Sequence, residues 1–512
     1  MRSTNSIKNA VVAILSNIII ILIGFIAQRI FVEVLGNEYL GINGLFSNIL
    51  SMLAIVELGF GSAIVYNFYK PVADGDKEKI KALLDFYKKT YRIIATVIFI
   101  LGLFIIPFLG KIVGEVSIKE NLNFIFILYL LDIVCSYLLT YKRSILYADQ
   151  KTYIINIVHL GYLIVMNVLQ IVFLLLTHNF ILYLLIKIFC RIIENVIITI
   201  ISNKKYPYIK EKATQDVDVE TKKDILKKVK GLMFHNIGGF IVKGTDNIII
   251  SITPGLGIIS VGLYSNYYMV LTAVTNLFSQ LFNSLTASVG NLLIEKNHDK
   301  SYKVYRNMLM LNSWIFAFAS ASILCMIQPF VSIWLGKEYV LPFIVLLTLV
   351  INFYIVGMRN TYSTFKTAAG VFHEDRFVPL IEALLNLVFS LIFARVMGLA
   401  GVFIGTIISS TALFCFSYPK YVYKPLFKKS YKQYIKENIT YTILAFVAVS
   451  TTFLVVTQFK FNNNFVQLIV NAVICLIIPN LIYYVVFRKR EEFMYYKNLL
   501  KNIVNKFKER RV

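Results

Sequence analysis

The sequence predicts an all-α polytopic membrane protein with about fourteen transmembrane helices. Of its 512 residues, 58% are hydrophobic and only 16% are charged, whereas an average soluble domain has roughly 25% charged residues. The mean hydropathy is +0.70. The charges fall in short runs that separate long uncharged stretches, such as 93–110 and 440–459. A soluble fold of this size could not bury so much apolar surface, whereas a bilayer accepts it.

Runs of about twenty apolar residues mark the predicted crossings of the bilayer. They lie near 8–35, 40–69, 90–110, 121–146, 153–177, 180–202, 226–252, 258–294, 306–335, 340–366, 377–397, 400–419, 438–458 and 464–487. The first run is longer than the apolar core of a cleaved signal peptide, and no A-x-A-like site follows it. We therefore expect it to remain as the first span.

These spans predict two six-helix lobes and two extra C-terminal helices. We place the N-terminal lobe at 1–203, a cytoplasmic linker at 204–230, the C-terminal lobe at 231–424, the extra spans at 425–487 and a basic tail at 488–512. In the tail, aromatic and aliphatic residues recur at helical spacing among lysines, which predicts an amphipathic helix on the inner leaflet.

Basic residues indicate which side of the membrane each connection faces. When the spans are threaded alternately, most of the 52 Lys and Arg residues fall on one side. The opposite connections hold only Lys111, Lys119, Lys337, Arg395 and Lys460. By the positive-inside rule the basic side is the cytoplasm. We therefore expect a multi-pass protein of the cell (cytoplasmic) membrane with both termini cytoplasmic.

The net charge of +24 could also indicate a nucleic-acid-binding protein. Such a protein needs a contiguous basic face, but here apolar segments divide the charge, so we expect no nucleic-acid partner. The five cysteines all lie inside apolar runs, without a CxxC motif, which argues against a metal site or a disulfide framework. The G-x-x-x-x-G-K-[ST] motif of ATP-driven pumps does not occur.

A short motif recurs in the two predicted lobes. Residues 35–41 and 256–262 both read L-G-x-x-x-[LV]-G, each in a predicted outer connection before a long helix, and an Asp-Lys pair follows at 76–77 and again at 299–300. Spans 1–6 and 7–12 are therefore interpreted as two copies in parallel register, as in many transporters.

With these motifs, the sequence resembles the polysaccharide (Wzx-type) flippases of the multidrug/oligosaccharidyl-lipid/polysaccharide exporter superfamily. The similarity is carried by 35–41, by the E-L-G-F-G segment at 57–61, by T-D-N-I-I-I-S at 245–251 and by G-L-A-G-V-F-I-G at 398–405. The resemblance implies two lobes around a central cavity that opens alternately to each side. It also implies export of an undecaprenyl-diphosphate-linked oligosaccharide, such as a capsule or other surface polysaccharide repeat unit.

A flippase must shelter a diphosphate and its sugars at membrane depth, where an unpaired charge is costly. Fixed cations suit the diphosphate, and amides suit the sugar hydroxyls. Projection on ideal helices groups polar residues of spans 7, 8 and 10 into stripes that could line one wall of a cavity. We expect diphosphate contacts from Lys243, Arg359, Arg191, Lys187 and, outside the polar stripe of its helix, Arg29. The expected polar cavity residues are His235, Asn236, Asn247, Asn276, Asn283, Asn352 and Gln28.

Three carboxylates, Asp246, Glu57 and Asp132, are candidates for ion coupling or for counterions to buried bases. Structural pairing is the competing interpretation for every one of these charges, for example between Arg191 and Glu194 or between Lys243 and Asp246. We expect no cofactor and no metal. The expected ligands are the lipid-linked oligosaccharide and membrane lipids, and a polysaccharide polymerase or other assembly protein is a candidate partner.

Two other classes remain open. A cation-coupled drug exporter or a lipid II flippase would have the same fold, although fourteen spans favour the lipid-carrier branch over the twelve usual in drug exporters. A membrane glycosyltransferase or polymerase would need acidic residues or a large loop on the outer side. The outer connections here are short, with only Glu38, Glu115, Glu120 and Glu338 scattered among them, so we expect a protein that is not an enzyme.

The topology can be tested by labelling single cysteines in intact cells. Cysteines placed near 215 and 508 should resist an impermeant thiol reagent because both positions are predicted to be cytoplasmic, and one near 118 should react. Labelling of the first two positions would contradict the orientation and the lobe assignment that depends on it.

Overall fold

A computed structural model describes residues 2–57, 60–371 and 374–509. Throughout these ranges the chain forms helices and short connections and no β-strand. Eleven of the helices in the described residues are long and apolar enough to cross a membrane. The predicted fold class, an all-α polytopic membrane protein, is confirmed.

The chain divides into two compact units, residues 1–262 and 263–512. The first unit contains α1 Arg2–Leu35, α2 Asn37–Leu53, α3 Phe60–Asp74, α4 Lys77–Ile105, α5 Leu109–Val113, α6 Leu122–Tyr137, α7 Arg143–Ala148, α8 Thr152–Thr177, α9 Phe180–Lys205 and α10 Val219–Ile252. Helix α11, Gly257–Ile294, begins in the first unit and continues into the second. The second unit also contains α12 His298–Trp334, α13 Phe343–Ala369, α14 Val378–Met397, α15 Leu399–Tyr418, α16 Lys424–Phe427, α17 Tyr431–Gln458, α18 Asn464–Phe487 and α19 Glu491–Glu509.

Three predicted spans are not among the eleven apolar helices. The second corresponds to α2 and α3, which are separated by a 3-10 turn at Ala54–Glu57. The sixth corresponds to α9, which carries Lys187, Arg191 and Glu194 in its middle. The seventh corresponds to α10, which is rich in polar residues along its length. The polar residues of these three helices include several of the predicted site residues.

Side-chain caps fix where several helices begin. Asp76 accepts a hydrogen bond from the backbone N–H of Lys79 at the start of α4, and Asn297 caps α12 in the same way through Lys300. Such caps satisfy N–H groups that have no partner within the helix. The repeated Asp-Lys pairs at 76–77 and 299–300 thus both lie at the first turn of a long helix.

The two copies of the glycine motif pack directly against each other within the first unit. A Cβ added at Gly41 would lie 2.1 Å from the carbonyl oxygen of Ile258, and one added at Gly262 would lie 2.4 Å from that of Asn37. The seventh residue of each motif therefore meets the third residue of the other, which is the pattern of a local twofold axis. Only glycine permits this approach of the two backbones.

Each unit has its own core. In the first unit α8 packs against α1 and α9, and α9 also packs against α6. In the second unit α12 packs against α13, α17 and α18, and α14 packs along α15. The predicted amphipathic tail forms α19, which is held to α12 by an ion pair between Glu492 and Arg306 and by stacking of Phe493 on Trp314.

Substitution of the motif glycines tests the backbone contact. Gly41→Ala and Gly262→Ala should each lower the melting temperature of the detergent-solubilised protein, because the methyl group would overlap a carbonyl oxygen. The matched control is Gly161→Ala, a helical glycine with no atom within 4 Å of the added Cβ. It should be neutral or stabilising by up to about 1 kcal/mol. Equal melting temperatures for all three variants would contradict the close approach.

Candidate functional site

Helix α9 presents three charged residues on one face. Lys187, Arg191 and Glu194 follow each other at intervals of four and three residues, which places them on one side of a helix. Asp132 of α6 faces the first two of them. Its Oδ2 lies 3.1 Å from Nζ of Lys187, and its Oδ1 lies 3.7 Å from Nε of Arg191. The packing of α6 against α9 thus joins two predicted diphosphate ligands to a predicted counterion.

The Glu194 carboxylate is the centre of the cluster. Its side chain has no exposed surface, and its oxygens lie 3.1 Å from Nη1 of Arg191, 3.2 Å from Nη2 of Arg143 and 2.9 Å from Nδ1 of His159. Arg143 also donates to Asn195, at 2.7 Å. These partners come from α7, α8 and α9 and converge on one buried carboxylate. The ion pair between Arg191 and Glu194 that their spacing predicted is present.

The cluster has more positive than negative groups. Lys187, Arg191 and Arg143 stand against Asp132 and Glu194, so one positive charge is in excess even when His159 is neutral. We call these six residues the α9 charge cluster. The three basic side chains remain between 18% and 25% exposed, and His159 is 39% exposed. An anion reaching the cluster would therefore find accessible cations that are already held in place.

Two aromatic rings support the basic groups of the cluster. The guanidinium carbon of Arg191 lies 4.6 Å from the ring centroid of Tyr162, and Nζ of Lys187 lies 5.1 Å from that of Tyr129. Tyr129 in turn donates to Asn43 of α2. Cation–π contacts hold a cation without neutralising its charge, so the excess charge is oriented and retained.

The predicted residues of α10 are only partly described. Asp246 and Asn247 are buried, and in the described part of the chain neither Oδ1 atom has a hydrogen-bond partner. The side chains of Lys243, His235 and Asn236 lie outside those that the structure describes. The predicted roles of these three residues therefore remain predictions.

The other predicted residues of the first unit are Arg29, Gln28 and Glu57. Arg29 pairs with Glu33 at 2.7 Å, and both side chains are 52% exposed. Gln28 is half-buried on the same helix. Glu57 ends the 3-10 turn after α2 and interacts with the hydroxyl groups of Tyr91 and Tyr137.

In the second unit, Arg359 is bound by a carboxylate. Its Nη1 and Nη2 atoms lie 2.6 Å and 3.2 Å from the two oxygens of Glu382, and its Nε lies 3.3 Å from the hydroxyl of Tyr418. Arg359 is 22% exposed and Glu382 is 8% exposed. This fork-to-fork geometry is the most favourable one for a guanidinium and a carboxylate. An incoming phosphate would have to compete with Glu382 for Arg359.

The predicted polar wall of spans 8 and 10 corresponds to α11 and α13. Ser279 of α11 donates to Asn360 of α13 at 3.3 Å, so these two helices are in contact. Asn276 and Asn283 of α11 are exposed. Asn352 of α13 is half-buried, and its Oδ1 finds no hydrogen-bond partner among the described residues. The predicted contacts of these amides with a polar ligand remain predictions.

Four residues of these networks were absent from the predicted site. The contact of His159 with Glu194 was not predictable, because a single histidine in an apolar run gives no signal of its partner. Arg143 and Glu194 both lie within predicted spans, but their contact joins residues 51 positions apart in the sequence. Glu382 lies alone in an apolar segment, where its charge was the only available signal. A buried acid requires a partner. The basic residues of neighbouring spans, Arg359 among them, were therefore the candidate partners of Glu382.

The Arg359–Glu382 pair makes a stability prediction. Glu382→Gln keeps the side-chain volume but leaves the guanidinium without its carboxylate, which should cost roughly 3 kcal/mol and lower the melting temperature in detergent. The control is Glu33→Gln, which breaks the exposed pair with Arg29 and should cost at most about 1 kcal/mol. If both variants melt at the same temperature, the Arg359–Glu382 pair does not stabilise the second unit.

No protein-family model and no curated protein sequence matches the chain. Solved structures do match its fold. The lipid II flippase MurJ, in an inward closed conformation, aligns with a TM-score of 0.66 at 15% identity, over 94% of this chain and 99% of that chain. An inward-facing multidrug resistance MATE family transporter of the MOP superfamily aligns with a TM-score of 0.56 at 17% identity, over 76% of this chain and 91% of that chain.

A mutant of the Vibrio cholerae MATE transporter VcmN also aligns, with a TM-score of 0.54 at 15% identity, over 84% of this chain and 99% of that chain. These neighbours are transporters and a flippase, not enzymes. At such low identity the similarity concerns the fold alone. The chain therefore has the polytopic transporter fold that the lipid II flippase MurJ and the MATE transporters share.

Proposed function

We propose that this protein is a flippase that moves an undecaprenyl-diphosphate-linked oligosaccharide from the inner to the outer leaflet of the cell membrane by alternating access. The α9 charge cluster is the observation that carries this proposal. It holds three bases against two acids within the predicted fourth and sixth spans, and charge inside a span is retained only for a structural or functional reason. An excess of positive charge favours an anionic ligand.

The sign of this excess separates the proposal from drug export. A transporter for cationic drugs would repel its substrate at the α9 charge cluster, since like charges in a medium of low dielectric interact unfavourably. A diphosphate instead gains charge-assisted hydrogen bonds from an ammonium and a guanidinium group. The cluster therefore supports the lipid-carrier interpretation over the cation-coupled exporter.

The coverage of the solved structures supports the same choice. The lipid II flippase covers 94% of this chain, whereas the two MATE structures leave 24% and 16% of it uncovered. A chain with two spans more than a drug exporter should give this difference. It does not identify the substrate, because the similarity concerns the fold.

The residues can be given distinct roles in this mechanism. Lys187 and Arg191 bind the diphosphate, and Asp132 serves as their counterion between transport cycles. Lys243 and, after release from Glu382, Arg359 provide further phosphate contacts in the second predicted lobe. Arg29 contributes little because Glu33 already pairs with it at the surface. The exposed amides of α11 meet sugar hydroxyls, which are uncharged donors and acceptors.

Asp246 is the candidate for ion coupling. It is a buried carboxylate whose Oδ1 has no described hydrogen-bond partner, so binding a proton or a cation would relieve the cost of burying its charge. Glu57 could act in the same way but already interacts with two tyrosine hydroxyls. A polymerase or other assembly protein would receive the exported lipid-linked sugar.

A lipid II flippase is the second candidate, and the fold similarity to MurJ favours it. Both substrates carry a diphosphate on a polyprenyl chain, so the α9 charge cluster would serve either. Complementation separates them. A strain that lacks its capsule-repeat flippase should recover surface polysaccharide, and a strain depleted of its lipid II flippase should not recover growth. The reverse result would favour the second candidate.

Removal of one cluster cation tests the role of the charge. Lys187→Gln should reduce flipping roughly tenfold or more, because one charge-assisted hydrogen bond to phosphate is lost. Lys187→Arg should retain part of the activity. The matched control is Lys204→Gln, an exposed lysine near the end of the same helix, which should transport normally. Flipping is measured in proteoliposomes with the lipid-linked oligosaccharide, at equal amounts of inserted protein.

The same assay tests the second predicted lobe. Lys243→Ala and Arg359→Ala should each reduce flipping severely if they also contact the diphosphate, whereas Arg29→Ala should have a mild effect. Wild-type rates for Lys187→Gln, Lys243→Ala and Arg359→Ala together would contradict recognition of the diphosphate by these cations.

A further inference from the structure

A groove lies between α14 and α15 on the second unit. Its volume is about 310 Å³, at the lower end of the range for ligand pockets of roughly 300–1,000 Å³. The apolar part of its wall is formed by Val378, Ile381, Leu385, Ala412, Leu413 and Phe416. From Val378 to Leu385 the groove follows α14 for seven residues, which is roughly 10 Å of helix. This is about two thirds of one leaflet of hydrocarbon.

Glycines bring α14 and α15 close together at one end of the helix pair. The groove lies towards the other end. A Cβ added at Gly401 would lie 2.0 Å from the carbonyl oxygen of Phe393, and one added at Gly405 would lie 2.3 Å from the backbone nitrogen of Ser390. The backbones of α14 and α15 are therefore in close contact near Gly401. Towards the other end, Leu413 and Phe416 of α15 line the groove.

The helices around the groove present an apolar surface. Ile381, Leu384 and Ile392 of α14 are 52% to 62% exposed, and Phe416 of α15 is 71% exposed. Both helices are among those able to cross a membrane. Exposed apolar residues on a spanning helix face hydrocarbon, so a hydrocarbon chain is the ligand that can enter this groove.

The open end of the groove is polar and basic. Ser417, Lys420 and Tyr421 line it, the last two within a π-helical turn at Pro419–Tyr423 that interrupts the α-helical path. Lys420 is exposed, and positive-inside analysis predicts this end to be cytoplasmic. The one acid in the wall, Glu382, is already neutralised by Arg359. Lys420 therefore determines the charge of the groove.

We propose that this groove binds a resident anionic glycerophospholipid of the inner leaflet. One acyl chain lies between α14 and α15, and the phosphate lies against the ammonium group of Lys420. Basic pockets between spanning helices on the cytoplasmic side are suited to anionic lipid headgroups. The groove shares no lining residue with the α9 charge cluster, and its occupant does not depend on the substrate that the protein transports.

A second groove provides an internal comparison. It lies between α8 and α9 on the first unit, has a volume of about 350 Å³, and is lined mainly by apolar residues, with Val165 and Ile193 among them. Its wall contains no lysine or arginine. Its wall instead includes the Glu194 carboxylate of the α9 charge cluster, so the charged group that it presents differs from that of the α14–α15 groove.

Native mass spectrometry of the full-length protein tests the proposal. Phosphatidylglycerol and phosphatidylcholine with identical acyl chains are titrated separately, and phosphatidylglycerol should bind more tightly. Lys420→Ala should weaken phosphatidylglycerol binding about fivefold, corresponding to about 1 kcal/mol for one basic residue at the membrane surface, and should leave phosphatidylcholine binding unchanged. Ala412→Trp fills the groove and should weaken the binding of both lipids.

Two control variants separate this site from general effects. Lys432→Ala removes another exposed lysine on the predicted cytoplasmic side, and Val165→Trp fills the α8–α9 groove. Both should keep the preference for phosphatidylglycerol. Equal binding of the two lipids to the unsubstituted protein, or an unchanged preference in Lys420→Ala, would overturn the proposal. Displacement of phosphatidylglycerol by equimolar undecaprenyl phosphate would assign the groove to the carrier lipid instead.

Discussion

The buried carboxylate of Glu194 is the interaction on which the organisation of the α9 charge cluster depends. It receives Arg143, Arg191 and His159 from three helices and has no exposed surface of its own. Without it, the guanidinium groups of Arg143 and Arg191 would face each other with no shared counterion. Their repulsion in a medium of low dielectric would separate α7 from α9. Asp132 extends the network to Lys187, so two acids hold three bases in fixed positions. An excess charge can be kept inside a membrane protein only when its neighbours are arranged in this way.

The second unit manages its buried charge differently. Arg359 and Glu382 form a closed pair with one positive and one negative group, and the Tyr418 hydroxyl accepts from Nε of Arg359 at 3.3 Å. Such a pair is neutral and needs no ligand. The first unit therefore retains a positive charge that a diphosphate can use, whereas Arg359 becomes available only if Glu382 releases it. A change of state that breaks this pair would couple phosphate binding to a movement of α13 relative to α14.

The fold followed from the sequence more completely than the site did. Apolar runs predicted the positions of the spanning helices, since helix length is set by the bilayer. Helix α9 is less apolar than the eleven candidate spans because it carries Lys187, Arg191 and Glu194 in its middle.

Within one helix, the pairing of Arg191 with Glu194 was predictable because residues three apart are neighbours. The partners His159 and Arg143 were not, because helical periodicity gives the face of a residue but not the depth and rotation at which two helices meet. For the same reason the sequence did not identify Glu382 as the partner of Arg359. The glycine motif was recognised as a repeat, but its cause, a mutual approach of Gly41 and Gly262 to the opposite copy, required coordinates.

The most direct test of the central claim is the affinity of the purified protein for undecaprenyl diphosphate compared with undecaprenol, which has the same chain and no charge. If the excess positive charge of the α9 charge cluster recognises the diphosphate, the charged lipid should bind at least about tenfold more tightly. Equal affinities for the two lipids would show that the protein recognises the chain alone, and would contradict the account.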